Sequence, residues 1–269
     1  MRHIFIYILL LSSILCGSAQ NHPTDYFQAP LDIPLILSGT FGELRSNHFH
    51  AGIDIKTQGA SGHKVYAVAE GYVSRIKVSP WGYGKALYIT HPNGYTSVYA
   101  HLSKYHGSIE EKVKAAQYSK ESFAIELFPQ KEELVVKKGD LVALSGNSGS
   151  SAAPHLHFEL RTSKNEFPQN GLHFGFDIAD DIAPIIREIK VEPRGKKSQI
   201  NQQESGKFFK PTKNGNIYKI EKPILVHGKA SVGIYTHDLL NGANNKNGVY
   251  SVDLNIDGKG KYKIDTGIG

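Results

Sequence analysis

One cysteine, Cys16, stands in a chain of 269 residues, and it falls within the first twenty. A protein that sheds that leader has no disulfide, no thiolate nucleophile and no thiolate metal ligand, so any metal it holds must sit on His, Asp or Glu. Long apolar runs are also scarce. The run from Ile4 to Leu15 is too short to span a bilayer comfortably, and no later stretch reaches the length of a transmembrane helix. The formal net charge is only +6, and it falls by one if Arg2 is removed with the leader. No dense basic run is interleaved with aromatics, which excludes nucleic acid as the partner this chain is built for. Three catalytic signatures are absent as well. There is no H-E-x-x-H, Ser150 stands where a G-x-S-x-G elbow around Ser148 needs its last glycine, and no glycine loop ends in Gly-Lys-Ser or Gly-Lys-Thr.

What is present favours β-structure. Twenty-seven glycines and twelve prolines are spread among short runs rich in Val, Ile, Tyr and Phe, which suits many short strands better than long helices. The fold class expected is mostly β. Arg2 and His3 ahead of an apolar run, followed by Gly17, Ser18 and Ala19, read as a signal peptide over residues 1–19. Export to the periplasm or cell envelope follows. Lipidation at Cys16 is the competing reading, but Leu15 stands where a lipoprotein signal wants a small residue.

The run "ALYITHPNGYTSVYAHL" pairs two alternating segments about Asn93-Gly94, the dipeptide of a type I′ hairpin, in which both central residues take positive φ. Residues 103–133 form a more charged insertion with one short helix, because Ile109, Val113 and Ala116 fall at helical spacing and Glu110 lies four before Lys114. From about Pro184 the texture changes to short alternating runs between loops. Residues 184–269 read as a partial immunoglobulin-like β-sandwich in which Tyr250, Val252, Leu254 and Ile256 share one parity and Asp257-Gly258 marks a turn. Residues 20–183 form the preceding domain, an antiparallel, sandwich-like sheet with a groove.

Candidate chemistry sits in three places. In "APHLHFEL", strand alternation puts His155 and His157 on one face and Leu156 and Phe158 on the other. Such a pair alone is more often a solvated polar face than a site. In "HFHAGIDI", His50 and Asp54 flank the flexible Gly52, and "YTSVYAHL" ends its strand on His101. Three strand-borne elements thus offer imidazole or carboxylate, and three protein ligands with an open fourth position are what a catalytic zinc needs. His48, His63, His91, His106, His227 and His237 lie in turns, loops or strand ends and read as surface or capping residues. "HFGFD", from His173 to Asp177, repeats the H-x-G-x-D spacing of "HAGID", so spacing does not choose between them.

"HFHAGIDI", "TSVYAHL" and "PHLHFEL", in this order with "GDLVALSGNSG" before the last, resemble the LytM and lysostaphin type of zinc endopeptidase, which cleaves peptide cross-links of bacterial cell walls. The resemblance covers about residues 37–180. It implies that His50, Asp54 and His157 hold one Zn2+ per domain and that His155 and His101 act on the reacting groups, with zinc-bound water attacking stem peptides of peptidoglycan. The order of motifs favours the His50 pair over the His173 pair. The alternative reading is a non-catalytic relative that binds and activates other wall hydrolases. An envelope protein partner is expected, if anywhere, through the C-terminal β module. Two departures from the family pattern, "SSAAP" before the H-x-H strand and the longer insertion after His101, rim the expected groove and bear on substrate choice.

Overall fold

The computed structural model describes residues 22–265. The expected signal peptide and Cys16 lie outside the described residues. The first half supplies strands β1 (Leu37–Gly39), β2 (Ile53–Lys56), β3 (Lys64–Tyr66), β4 (Gly71–Val78), β5 (Lys85–Thr90), β6 (Tyr95–Ala100) and β7 (Lys104–Tyr105). After helix α1 (Gly107–Ser119) come β8 (Ile125–Leu127), β9 (Val135–Val136), β10 (Leu141–Leu144), β11 (His155–Thr162) and β12 (Pro168–Gln169). The protein is mostly β, as its composition leads one to expect. The main sheet is antiparallel and runs β1-β2-β11-β6-β5-β4-β8, so the last long strand, β11, is inserted between β2 and β6. That insertion brings the distant histidine motifs side by side.

Alternation explains the packing. Leu156, Phe158 and Leu160 of β11 face a core shared with Ile53, Ile55 and Tyr99, all essentially without exposure. Burying each such side chain is worth about 1.5–3 kcal/mol relative to leaving it in water. The opposite face of the same strand carries His155, His157, Glu159 and Arg161. On the neighbouring strands the same face continues as a second apolar cluster, Ala86, Tyr88, Val98 and Ala100, with Tyr83 against it. The helix in the charged insertion is present, with Ile109 and Val113 buried and Ala116 against the core, and Lys114 lies 3.5 Å from Glu110.

The β5–β6 hairpin forms where expected, but its turn is of another type. Gly94 has φ 85°, whereas Asn93 is not among the residues of positive φ. Pro92 supplies the reason. Its ring locks φ near −65° one residue after His91, which suits a type I turn with glycine following, and the Gly94 N–H donates to the His91 carbonyl at 3.2 Å. Both residues of Asp257-Gly258 do have positive φ, 50° and 73°, so the two-residue type I′ connection lies there. Two of the histidines read as surface residues are buried: His91 and His237 are 3% and 6% exposed.

Past residue 184 the strands are β13 (Ile185–Pro193), β14 (Gln199–Ile200), β15 (Lys207–Phe209), β16 (Thr212–Asn214) and β17 (Ile217–Lys219). They continue with β18 (Val226–His227), β19 (Ala230–His237), β20 (Ser251–Ile256) and β21 (Lys259–Asp265). They pair as one three-stranded sheet, β15-β13-β19, and three two-stranded ladders. Among the described residues of this part, the buried apolar side chains are Val191, Ile200 and Leu240, and Leu240 belongs to the core formed by residues 27–174.

Candidate metal centre

Register builds the site. Asp54 of β2, His157 of β11 and Ala100 of β6 stand in one row across three neighbouring strands. Directly opposed residues share a face, so Asp54 and His157 meet by strand pairing alone. His50 enters from the bend before β2, and its Nε2 lies 3.1 Å from Asp54 Oδ1 and 3.0 Å from His157 Nδ1. His157 Nδ1 lies 2.9 Å from Asp54 Oδ1, closing the triangle. All three residues are buried.

Hydrogen accounting shows what this triangle fits. His50 donates Nδ1–H to the Thr40 carbonyl at 2.8 Å, which leaves Nε2 a bare lone pair. His157 donates Nε2–H to Glu159 Oε1 at 2.7 Å, which leaves Nδ1 bare. Asp54 Oδ2 accepts from Arg45 at 3.0 Å, so Oδ1 is the oxygen turned inward. Three acceptors therefore point at one spot, an arrangement that repels itself unless a positive species lies among them. Tetrahedral zinc with bonds of about 2.0–2.1 Å separates its ligand atoms by roughly 3.3 Å, close to the distances here. The residues present fit that ion.

Without an ion, the same charges draw a proton into the triangle. Burial alone would raise the Asp54 pKa, but the imidazoles of His155, His157 and His50 beside it hold its carboxyl well below the usual range. Burial likewise opposes charge on His157, yet the Asp54 and Glu159 carboxylates push it up to about 9. Glu159 itself is brought down to about 2: burial works against its charge, and the bonds from His157 and Arg161 outweigh burial.

Two further histidines border the triangle. His155 Nε2 is 3.4 Å from Asp54 Oδ1, and its Nδ1 donates to the Ala153 carbonyl at 2.9 Å. His101 follows β6 at φ 58°, a left-handed conformation costing a non-glycine residue roughly 1–2 kcal/mol, and it turns the ring back toward the site. Its Nδ1 donates to the Ser148 carbonyl at 2.8 Å and its ring centroid is 4.8 Å from that of His155. Burial, seconded by the neighbouring histidines, lowers its pKa to about 4 although the Ser148 bond works the other way. Both rings thus keep Nε2 as a free acceptor. All five residues line one cleft of about 760 Å³, with Tyr83 and Asn245 also on its wall.

Residues 48–118 match the model of peptidase family M23. The chain carries an M23 domain. That span holds His50, Asp54 and His101; His155 and His157 lie beyond it and join the site through the register of β11. A Haemophilus influenzae protein named "Uncharacterized metalloprotease" is 36% identical over 111 residues, covering 41% of this chain and 18% of that protein. The "DD-carboxypeptidase/endopeptidase Mpg" of Neisseria meningitidis serogroup B is 30% identical over 118 residues, 44% of this chain and 21% of the relative. The chain therefore spans about a fifth of the length of these relatives. The catalytic domain of lysostaphin from Staphylococcus simulans aligns with a TM-score of 0.39 at 24% identity, over 52% of this chain and 91% of that one.

All five residues expected from the sequence come together, and the repeat of their spacing does not. His173 lies in a 3-10 turn (Gly171–Phe174) and its Nε2 is bonded to Tyr250 Oη at 2.7 Å. Sequence reading missed Thr40, Arg45 and Glu159, the partners that orient the triangle. Glu159 was within reach, since the alternation that pairs His155 with His157 puts Glu159 on the same face. Thr40 and Arg45 act through a carbonyl and a loop, which no spacing encodes.

Proposed function

We propose that this chain is an exported zinc metalloendopeptidase that hydrolyses peptide cross-links of bacterial peptidoglycan. The observation that carries the reading is the set of three converging lone pairs, from His50, Asp54 and His157, at the floor of a cleft that two more histidines border. Zinc held there supplies Lewis acidity and an acidified water, whose pKa falls from roughly 15.7 to about 7. His155 takes a proton at Nε2, its hydrogen at Nδ1 being committed to Ala153. His101, its ring centroid 4.8 Å from that of His155, is placed to receive that proton at Nε2, and because its ring binds a proton weakly it hands the proton on to a leaving amine nitrogen. His101 in this tautomer has no N–H to offer an oxyanion until it has been protonated. Glu159 and Arg45 hold His157 and Asp54 in the orientations that the ion requires.

The substrate class rests on the relatives, whose names include glycyl-glycine endopeptidase and peptidoglycan DD-endopeptidase. Among the described residues no helix is long and apolar enough to cross a membrane. Export rests on the leader sequence. Digestion of purified sacculi with and without a chelator, with the fragments identified by mass spectrometry, tests the reading. New peptide termini that vanish with the chelator and return with zinc are expected. Sacculi that are bound but left uncut would point instead to the non-catalytic relative.

A further inference from the structure

The segment from Asp238 to Tyr250 belongs by sequence to the C-terminal part, yet it is bonded to the turn of Thr40 and Glu43 and puts Asn245 on the wall of the cleft. Leu240 is 3% exposed in the core of the M23 domain, and Asp238 and Asn247 exchange backbone hydrogen bonds at 2.9 Å that close the segment into a loop. From this loop the Gly248 N–H donates to Glu43 Oε1 at 2.8 Å. The same oxygen accepts from the Thr40 N–H at 3.0 Å and is 3.1 Å from the Thr40 hydroxyl. Glu43 Oε2 lies 3.0 Å from the Arg45 nitrogen that also bonds Asp54 Oδ2. Thr40 in turn supplies the carbonyl that fixes the His50 tautomer. Two of the three ligands are therefore oriented through one carboxylate, and that carboxylate is anchored by a backbone donor 205 residues further along the chain.

We propose that the 238–250 loop is a working part of the metal centre: through Gly248 and Glu43 it positions Arg45 and Thr40, and so sets how tightly His50 and Asp54 hold their ion. The physical reason is geometric. A ligand free to rotate loses orientation when it binds, and outer partners that remove this freedom typically contribute 10- to 100-fold in metal affinity. Glu43 without the Gly248 N–H loses one of its donors, and the tie between the loop and the turn that carries Thr40 and Arg45 is weakened, the Thr40 hydroxyl still reaching the Gly248 carbonyl at 3.5 Å. Asn245, on the wall of the cleft, shows that the same loop reaches the space a bound peptide would occupy.

The inference rests on the zinc reading and can fail without it. Zinc affinity is measured on the full chain by competition with a chromophoric chelator, beside thermal unfolding of the metal-free protein. Glu43→Ala and Gly248→Pro are expected to weaken zinc about 10- to 100-fold. Glu43→Gln, which keeps an acceptor for Thr40 and Gly248, should recover part of the loss. Asn241→Ala, in the same loop but bonded to the Asp181 N–H at 3.3 Å, should leave affinity unchanged. If Gly248→Pro does not fold, the two Glu43 variants decide. Wild-type affinity in folded Glu43→Ala overturns the inference alone, and a wild-type chain that binds no zinc overturns the metal reading with it.

Discussion

His50 to Asp54 and His173 to Asp177 share the H-x-G-x-D spacing, but the backbone around their glycines differs. Gly52 lies against β11, where a Cβ would sit 2.3 Å from the Phe158 carbonyl oxygen, and this close approach carries Asp54 into register with His157. Gly175 has φ 77° and ends a 3-10 turn against the N-terminal segment, where a Cβ would lie 2.0 Å from the Thr24 carbonyl oxygen. One glycine docks a strand and the other caps a turn. Residue spacing becomes a ligand set only where the backbone aims both side chains at a third donor.

The largest effect expected is from His157→Ala, which removes a donor and leaves the buried Glu159 without its imidazole partner. Zinc content and sacculus hydrolysis should both vanish, while His173→Ala leaves both as they were. Zinc retained by His157→Ala would break the contrast between the segments. Next comes His155→Ala. Zinc stays bound and turnover falls about 100- to 10,000-fold, the usual contribution of a positioned acid or base. Metal loss in that variant would make His155 a ligand and reverse the two roles on β11.

The two glycines then separate stability from metal binding. Gly52→Ala forces a methyl into backbone, which overpacking data put at about 1–3 kcal/mol, and it should weaken zinc as well because Asp54 must shift. Gly175→Ala should lower the unfolding temperature while zinc affinity holds. Equal effects on zinc would erase the distinction.

The smallest effect concerns a histidine outside both segments. Burial holds the His91 pKa below its ordinary 6.5, though its bond to the Glu70 carbonyl acts the other way. The unfolded chain therefore takes up a proton near pH 6.5 that the folded chain refuses. The His91 contribution is intact above that pH and stability declines as pH falls below it. Denaturation midpoints at pH 7.5 and 5.5 should show a shallower decline in His91→Asn than in the wild type.

Much of the site was legible because it is written in strand parity. Alternation along β11 aligned His155 with His157, and the order of three motifs favoured the H-x-G-x-D whose side chains converge with His157 over its repeat. The hairpin at Asn93-Gly94 was legible in place but not in type, since Pro92 dictates φ one residue earlier than the dipeptide rule considers. Thr40, Arg45 and Gly248 were not legible. Their roles depend on a loop that folds back from the far end of the chain, and no local pattern records a contact between residues 43 and 248. His91 escaped for a similar reason: its partners, the Glu70 carbonyl and the Ser97 hydroxyl, are set by strand pairing rather than by neighbours in sequence.

The most direct test of the metal centre is zinc stoichiometry by elemental analysis on purified full-length wild type, Asp54→Ala and Asp177→Ala. One ion per chain is expected in the wild type and in Asp177→Ala, and background levels in Asp54→Ala. Zinc kept by Asp54→Ala, or lost by a folded Asp177→Ala, would contradict the account.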